Sequence, residues 1–159
     1  MIEGDDVMHA LLLPVAPEEA FEMFVDPARL VRWIGLSADL DPRPGGRFRF
    51  EVTPGRYCEG EYVAVERPHR LVLTWGWTDA RMGVPPGSSR VEITLTPTDH
   101  AATLLRLVHT GLGTGDARML HDDGWIRFLD RLRATAGESA PAPYPTENPE
   151  ERRHWLSTS

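Results

Sequence analysis

The chain has 159 residues, with 24 acidic and 17 basic side chains and a net charge of −7, and all 17 cations are arginine. A chain without lysine cannot form a lysine Schiff base, hold pyridoxal phosphate on a lysine or supply the lysine of a Walker A loop, because each needs that side-chain amine. The length suits one domain with a short appendage, and the acidity argues against charge-driven association with nucleic acid or an anionic membrane surface.

Val7 to Val15 reads as a first strand, with a helical start as the competitor because Leu11, Leu12 and Leu13 do not alternate. Ala16-Pro17-Glu18-Glu19 is a helix entrance, with proline pre-set for the first turn and two acids opposing the positive end of the dipole. Asp26-Pro27 repeats the signal and starts a second short helix through Leu30, Val31 and Trp33. Gly35 to Gly46 reads as a loop.

From there the period becomes two. Phe48, Phe50 and Val52 alternate with Arg47, Arg49 and Glu51, and Tyr57 to Val65 follows, stopped by Pro68. Leu71, Leu73, Trp75 and Trp77 share one phase of the next strand, and Val91, Ile93 and Leu95 share one phase after the loop Thr78 to Ser89. Thr103, Leu105, Leu107 and His109 form the last. Closely spaced strands with turn signals between them predict an antiparallel meander rather than alternating βαβ units.

Asp116 is the predicted N-cap of a final helix to about Ala136, whose apolar face carries Leu120, Gly124, Trp125, Phe128, Leu129 and Leu132. Beyond Gly137 the periodicity is lost. Residues 7–136 are thus expected to form the domain, and 137–159 a Pro-rich tail in which Trp155 and Leu156 are the candidate anchors. Cys58 is the single cysteine, so no intrachain disulfide forms, and a reduced, cytoplasmic setting is expected. Met1 to Asp6 lacks the basic start of a signal peptide, and no run approaches the ~18 apolar residues of a membrane-crossing helix.

Strand, two short helices, loop, antiparallel strands and long C-terminal helix follow one another in an order that resembles the START-like superfamily, also called SRPBCC or Bet v 1-like. Within it the chain is similar to the branch named for the activator of the heat-shock-protein-90 ATPase. The resemblance rests on Ala16-Pro17-Glu18-Glu19-Ala20-Phe21, Leu30-Val31-Arg32-Trp33, Asp41 to Phe48, Gly60 with Glu66-Arg67-Pro68, Leu71 to Trp75, and Gly124-Trp125. It implies an α+β helix-grip fold: a curved antiparallel sheet wrapped around the C-terminal helix, with a cavity between them that commonly holds a hydrophobic small molecule. It implies no shared reaction.

The primary expectation is therefore binding of a hydrophobic or aromatic small molecule, without cofactor or metal, by a monomer or homodimer that is not inserted in a membrane. A polyketide cyclase, dehydratase or hydrolase type of enzyme is the alternative, and a co-chaperone-like module the third reading. Candidate ligand contacts are Trp33, Phe48, Phe50, Trp75, Trp77, His109, His121, Trp125 and Phe128. Each has plain core packing as its competing role, Trp125 above all because Gly124 lets it approach the sheet.

His109 continues the inward phase of Leu105 and Leu107, with Thr103 beside it, as a proton shuttle or as a structural histidine. His121, with Asp122 and Asp123 adjoining, is placed to approach His109, although the spacing matches no zinc motif. Glu59 and Glu61 share the phase of Val63 and Val65, which would turn Glu61 inward as a general base with a raised pKa, unless Gly60 marks a bulge or the carboxylate pairs at the rim with Arg49 or Arg106. The loops Asp79 to Ser89 and Gly35 to Gly46 are candidate lids, with passive connection as the competing role of each.

Overall fold

Alternating apolar residues build one long sheet, and its inner face needs a cover. The computed structural model describes residues 1–136; the Pro-rich tail, with Trp155 and Leu156, lies outside the described residues. The strands are β1 (Ile2–Glu3), β2 (Asp6–Leu13), β3 (Ser37–Leu40), β4 (Arg47–Thr53), β5 (Arg56–Glu66), β6 (Arg70–Trp75), β7 (Ser89–Thr98) and β8 (Ala102–Thr110). They pair antiparallel in the order β1-β2-β8-β7-β6-β5-β4-β3. Helices α1 (Pro17–Val25) and α2 (Pro27–Leu30) follow β2, and α3 (Gly115–Thr135) ends the domain. This is the expected helix-grip arrangement, an open eight-stranded antiparallel sheet gripping a long C-terminal helix.

Local chemistry explains the helix ends. Pro17 and Pro27 open α1 and α2, and the Asp26 carboxylate accepts from the Ala28 N–H at 3.0 Å. The cap of α3 is Thr114 rather than Asp116: its hydroxyl accepts from the Ala117 N–H at 3.1 Å, while Asp116 lies in the first turn, where its charge meets the positive end of the helix. The buried face of α3 carries Ala117, His121, Gly124, Trp125, Phe128, Leu129 and Leu132. An Arg131 Nε–H bond to the Arg32 carbonyl, 3.0 Å, ties the helix to the chain just after α2.

Two expectations need correction. The segment Gly35 to Gly46 is not all loop, since Ser37–Leu40 pairs with β4 as an edge strand and sets Ala38 and Leu40 against the core. Nor is Asp79 to Ser89 a free lid. A 3-10 turn at Ala80–Met82 buries Met82, Val84 joins the core, and the backbone N–H of Trp77 donates to the Val84 carbonyl at 2.7 Å.

Candidate functional site

The inward phase of β6 and the segment after it puts Leu71, Leu73, Trp75 and Trp77 in the core, as their spacing predicts. Trp75 becomes the centre of an aromatic cluster. Its ring packs on Phe48 and Phe50 of β4 at 6.0 and 5.5 Å between centroids, on Trp77 at 5.5 Å, on His109 of β8 at 5.7 Å and on Trp125 of α3 at 5.0 Å. Phe128 extends the cluster through Trp125 at 6.1 Å. Trp33 stands apart from this group. It packs edge-on against Phe24 at 5.1 Å and donates its indole N–H to the Met23 carbonyl at 2.9 Å, joining α1 to the turn after α2.

His109 and His121 do meet, with ring centroids 5.1 Å apart, and each is bonded to a tryptophan. The Trp77 indole N–H donates to His121 Nε2 at 2.9 Å, so His121 carries its proton on Nδ1 and donates it to the Ala117 carbonyl at 2.8 Å. The Trp125 N–H donates to His109 Nδ1 at 3.0 Å. That leaves the His109 proton on Nε2, facing the Ser89 hydroxyl at 2.8 Å, and Ser89 passes its own proton to the Trp75 carbonyl at 2.8 Å. One proton arrangement satisfies the whole chain, and it requires both imidazoles to be neutral.

Burial enforces the same state. It pushes the His109 pKa well below the usual histidine value, with the neighbouring His121 adding to the effect, and it lowers His121 to about 4. A proton added to either accepting nitrogen would set an imidazolium N–H against an indole N–H. Two indole–imidazole bonds thus latch α3 to the sheet, one through Trp77 and His121 and one through Trp125 and His109.

The other polar candidates stand elsewhere. Thr103, also on β8, donates its hydroxyl to the Val15 carbonyl at 2.7 Å. Asp122 turns away from the imidazole pair and accepts from His9 at 2.8 Å and from the Met1 amine. Among the described residues no three His, Cys, Asp or Glu side chains come together as a metal set. Cys58 is fully buried and its thiol pKa is raised by that burial, which suits a packing residue.

Glu61 does not point inward. The inner phase of β5 is Cys58, Gly60 and Tyr62, whereas Glu61 and Val63 are exposed and Glu59 pairs with Arg49 at 2.8 Å on the outer side. The register shifts between Tyr62 and Ala64, and only after that irregularity does Val65 turn to the core. Extrapolating back from Val65 across the bulge therefore inverts the phase. Gly60 itself sits so close to β6 that a Cβ would lie 1.9 Å from the Thr74 carbonyl oxygen.

Among the described residues, the space between Trp75, Trp77 and α3 is not the ligand-sized cavity expected between sheet and helix. What remains between Trp75, Trp77 and α3 is a space of ≈ 10 Å³, lined by Trp75, Trp77, Leu120, His121, Gly124, Trp125 and Phe128. That is room for about one water molecule. A far larger groove, ≈ 670 Å³, opens on the surface beside Arg56, Asp79 and Arg81, but these charges satisfy one another. Asp79 lies 2.9 Å from both guanidinium groups, and its hydrogen bonds with Arg81 hold its carboxyl well below the usual range.

Sequence reasoning missed Ser89 and Tyr62 as parts of this region, and placed Leu120 on the apolar face of the helix without counting it a ligand contact. Ser89 was legible as the next member of the series Val91, Ile93, Leu95, all on one phase and all buried. Tyr62 was hidden by the inverted phase of β5; its hydroxyl donates to the Phe24 carbonyl at 3.1 Å.

The model of the family described as activator of Hsp90 ATPase homolog 1-like protein matches residues 14–137. The chain belongs to that family. An AHSA1-like protein from Rhizobium etli is 35% identical, with a TM-score of 0.69 over 93% of this chain and 94% of its own. DynU16, from the dynemicin biosynthetic locus, is 26% identical with a TM-score of 0.75; the match covers 91% of this chain and 52% of DynU16. An uncharacterized Schizosaccharomyces pombe protein, C1711.08, is 23% identical over 141 residues, 88% of this chain and 40% of the relative. The chain thus spans about half or less of these last two proteins. Among its described residues no helix is long and apolar enough to cross a membrane.

Proposed function

We propose that this family member binds an uncharged aromatic small molecule at the seam between Trp75, Trp77 and α3, and that the seam opens to admit it. The observation that carries this reading is the lining. Gly124 lines the space without a side chain to fill it, and Leu120, also in the lining, is half-buried, so one side of the space reaches the surface. Aromatic faces there offer stacking and burial at about 25 cal/mol per Å² of apolar surface removed from water. With ≈ 10 Å³ in the closed form, entry requires α3 or its side chains to move, and the indole–imidazole latch is what they move against.

The catalytic reading has no comparable geometry behind it. Glu61 stands outside the sheet, and His109 has both ring nitrogens engaged, so the two do not face one substrate. No observation on the surface favours the co-chaperone reading over binding at the seam.

The test is native mass spectrometry of the protein purified from its own host, alongside Leu120→Trp, which fills the mouth from the half-buried side. A small-molecule adduct on the wild type that is lost in the variant supports the reading. The bare polypeptide mass in both, or an adduct that survives Leu120→Trp, overturns it.

A further inference from the structure

We propose that the ligand of this seam carries a carbonyl-type oxygen on a flat, uncharged aromatic frame, and that this oxygen accepts the indole N–H of Trp75. The inference rests on the binding reading above and names its chemical class. Trp75 is 2% exposed and walls the cavity, and its Nε1 is buried with no hydrogen-bond partner. A buried donor left without an acceptor is rare in folded proteins and is a standing cost to the closed form.

Around it the remaining polar groups are satisfied. Trp77 and Trp125 give their N–H groups to His121 and His109; both imidazoles are engaged at both nitrogens; Ser89 is held between His109 and the Trp75 carbonyl. An indole N–H can only donate, so the partner must accept. A water would accept from this donor but must place two protons of its own, and the acceptor nitrogens of both imidazoles are already taken by Trp77 and Trp125.

The same census discriminates among organic ligands. A ketone or quinone oxygen accepts and asks for nothing more. A hydroxyl in the same place would accept from Trp75 but also need an acceptor for its own proton, and the imidazole nitrogens supply one only if a latch bond breaks. Charge is disfavoured as well, because the lining holds no carboxylate or guanidinium, and an ion entering it would be desolvated without compensation.

Three probes of one shape separate these cases: fluorene, 9-fluorenone and 9-fluorenol, titrated into the isotopically labelled full chain with the tryptophan indole N–H signals as readout. Fluorenone should bind about tenfold more tightly than fluorene, the worth of one neutral hydrogen bond, and fluorenol no more tightly than fluorene. The Trp75 signal should move downfield with fluorenone and not with fluorene. Trp75→Phe, which keeps a ring but removes the donor, should make fluorene and fluorenone equal; the Trp75 signal in the unaltered chain answers the question even if that variant does not fold. Equal binding of the three probes, or a fluorenone preference with the Trp75 signal unmoved, overturns the carbonyl assignment and leaves the binding reading intact. If none of the three binds, the seam is not an aromatic binding site and both readings fail.

Discussion

The indole N–H of Trp77 donates to Nε2 of His121 at 2.9 Å, a bond between a segment of the sheet and α3 that exists only while the imidazole is neutral. His109 and Trp125 repeat the arrangement 16 residues apart in the chain, at 3.0 Å. Because both folded-state pKa values lie below 6.5, the unfolded chain takes up protons below that pH which the folded chain refuses, so stability falls as the medium is acidified.

The size follows from the shift. Each buried imidazole contributes a slope of about 1.4 kcal/mol per pH unit between the unfolded and folded pKa values. For His121, lowered to about 4, the stability present above pH 6.5 is lost as pH falls toward 4, a total of about 3 kcal/mol. His9, whose pKa burial also lowers, adds to the slope with the same sign. Urea unfolding at a series of pH values from 7.5 to 4.5 should show the decline, and His121→Gln should flatten it by about one proton. A stability that is level between pH 6.5 and 5 would rule the latch out as a pH-sensitive element.

The second latch bond is separable by a double-mutant cycle. Trp125→Phe keeps the ring but leaves His109 Nδ1 without a donor in a buried site, at a cost of about 1–3 kcal/mol. His109→Ala alone removes the acceptor and opens a cavity. The pair should show a coupling of about 1 kcal/mol in chemical denaturation, since the two changes share one bond. Strict additivity would mean that the contact carries no energy of its own.

How far this site was legible in the sequence depends on what period-two patterning can carry. On β6, β7 and β8 the inward phase runs without interruption, and the placements of Trp75, His109 and their apolar neighbours follow from spacing alone. On β5 the bulge after Tyr62 breaks the count, so Glu61 and Tyr62 exchange faces relative to the expectation. The four-residue β3 is too short for alternation to register above the Pro and Gly around it. The filled seam was out of reach for a different reason. Pattern says which side chains face each other, whereas the space left between them depends on rotamers and helix height, which no periodicity encodes.

Ser89 holds the far end of the His109 chain, accepting from the imidazole Nε2–H and donating its own hydroxyl to the Trp75 carbonyl. Ser89→Ala should cost about 1–3 kcal/mol, because it strands a buried donor on His109. The adjacent Ser88 is exposed, and Ser88→Ala should change stability by no more than about 0.5 kcal/mol. Thermal or urea unfolding of the two variants side by side decides it, and equal stability would show that the hydroxyl relay is dispensable.

The outward turn of Glu61 has its own test in the residue beside it. If Glu61 faces solvent, Glu61→Gln should leave stability within about 0.5 kcal/mol of the parent and leave ligand binding unchanged. Gly60, by contrast, occupies the inner phase where β5 passes β6, and the Cβ of an alanine would lie 1.9 Å from the Thr74 carbonyl oxygen. The backbone of one strand must then shift, and Gly60→Ala should destabilise by roughly 1–3 kcal/mol or more, as overpacked cores do. The shift would also disturb the Thr74 hydroxyl, which accepts from the Glu61 N–H at 2.8 Å, and would reach Trp75 next in the strand. Far-ultraviolet circular dichroism with urea titration reads both variants. A harmless Gly60→Ala together with a destabilising Glu61→Gln would reverse the assignment of faces and return Glu61 to the interior.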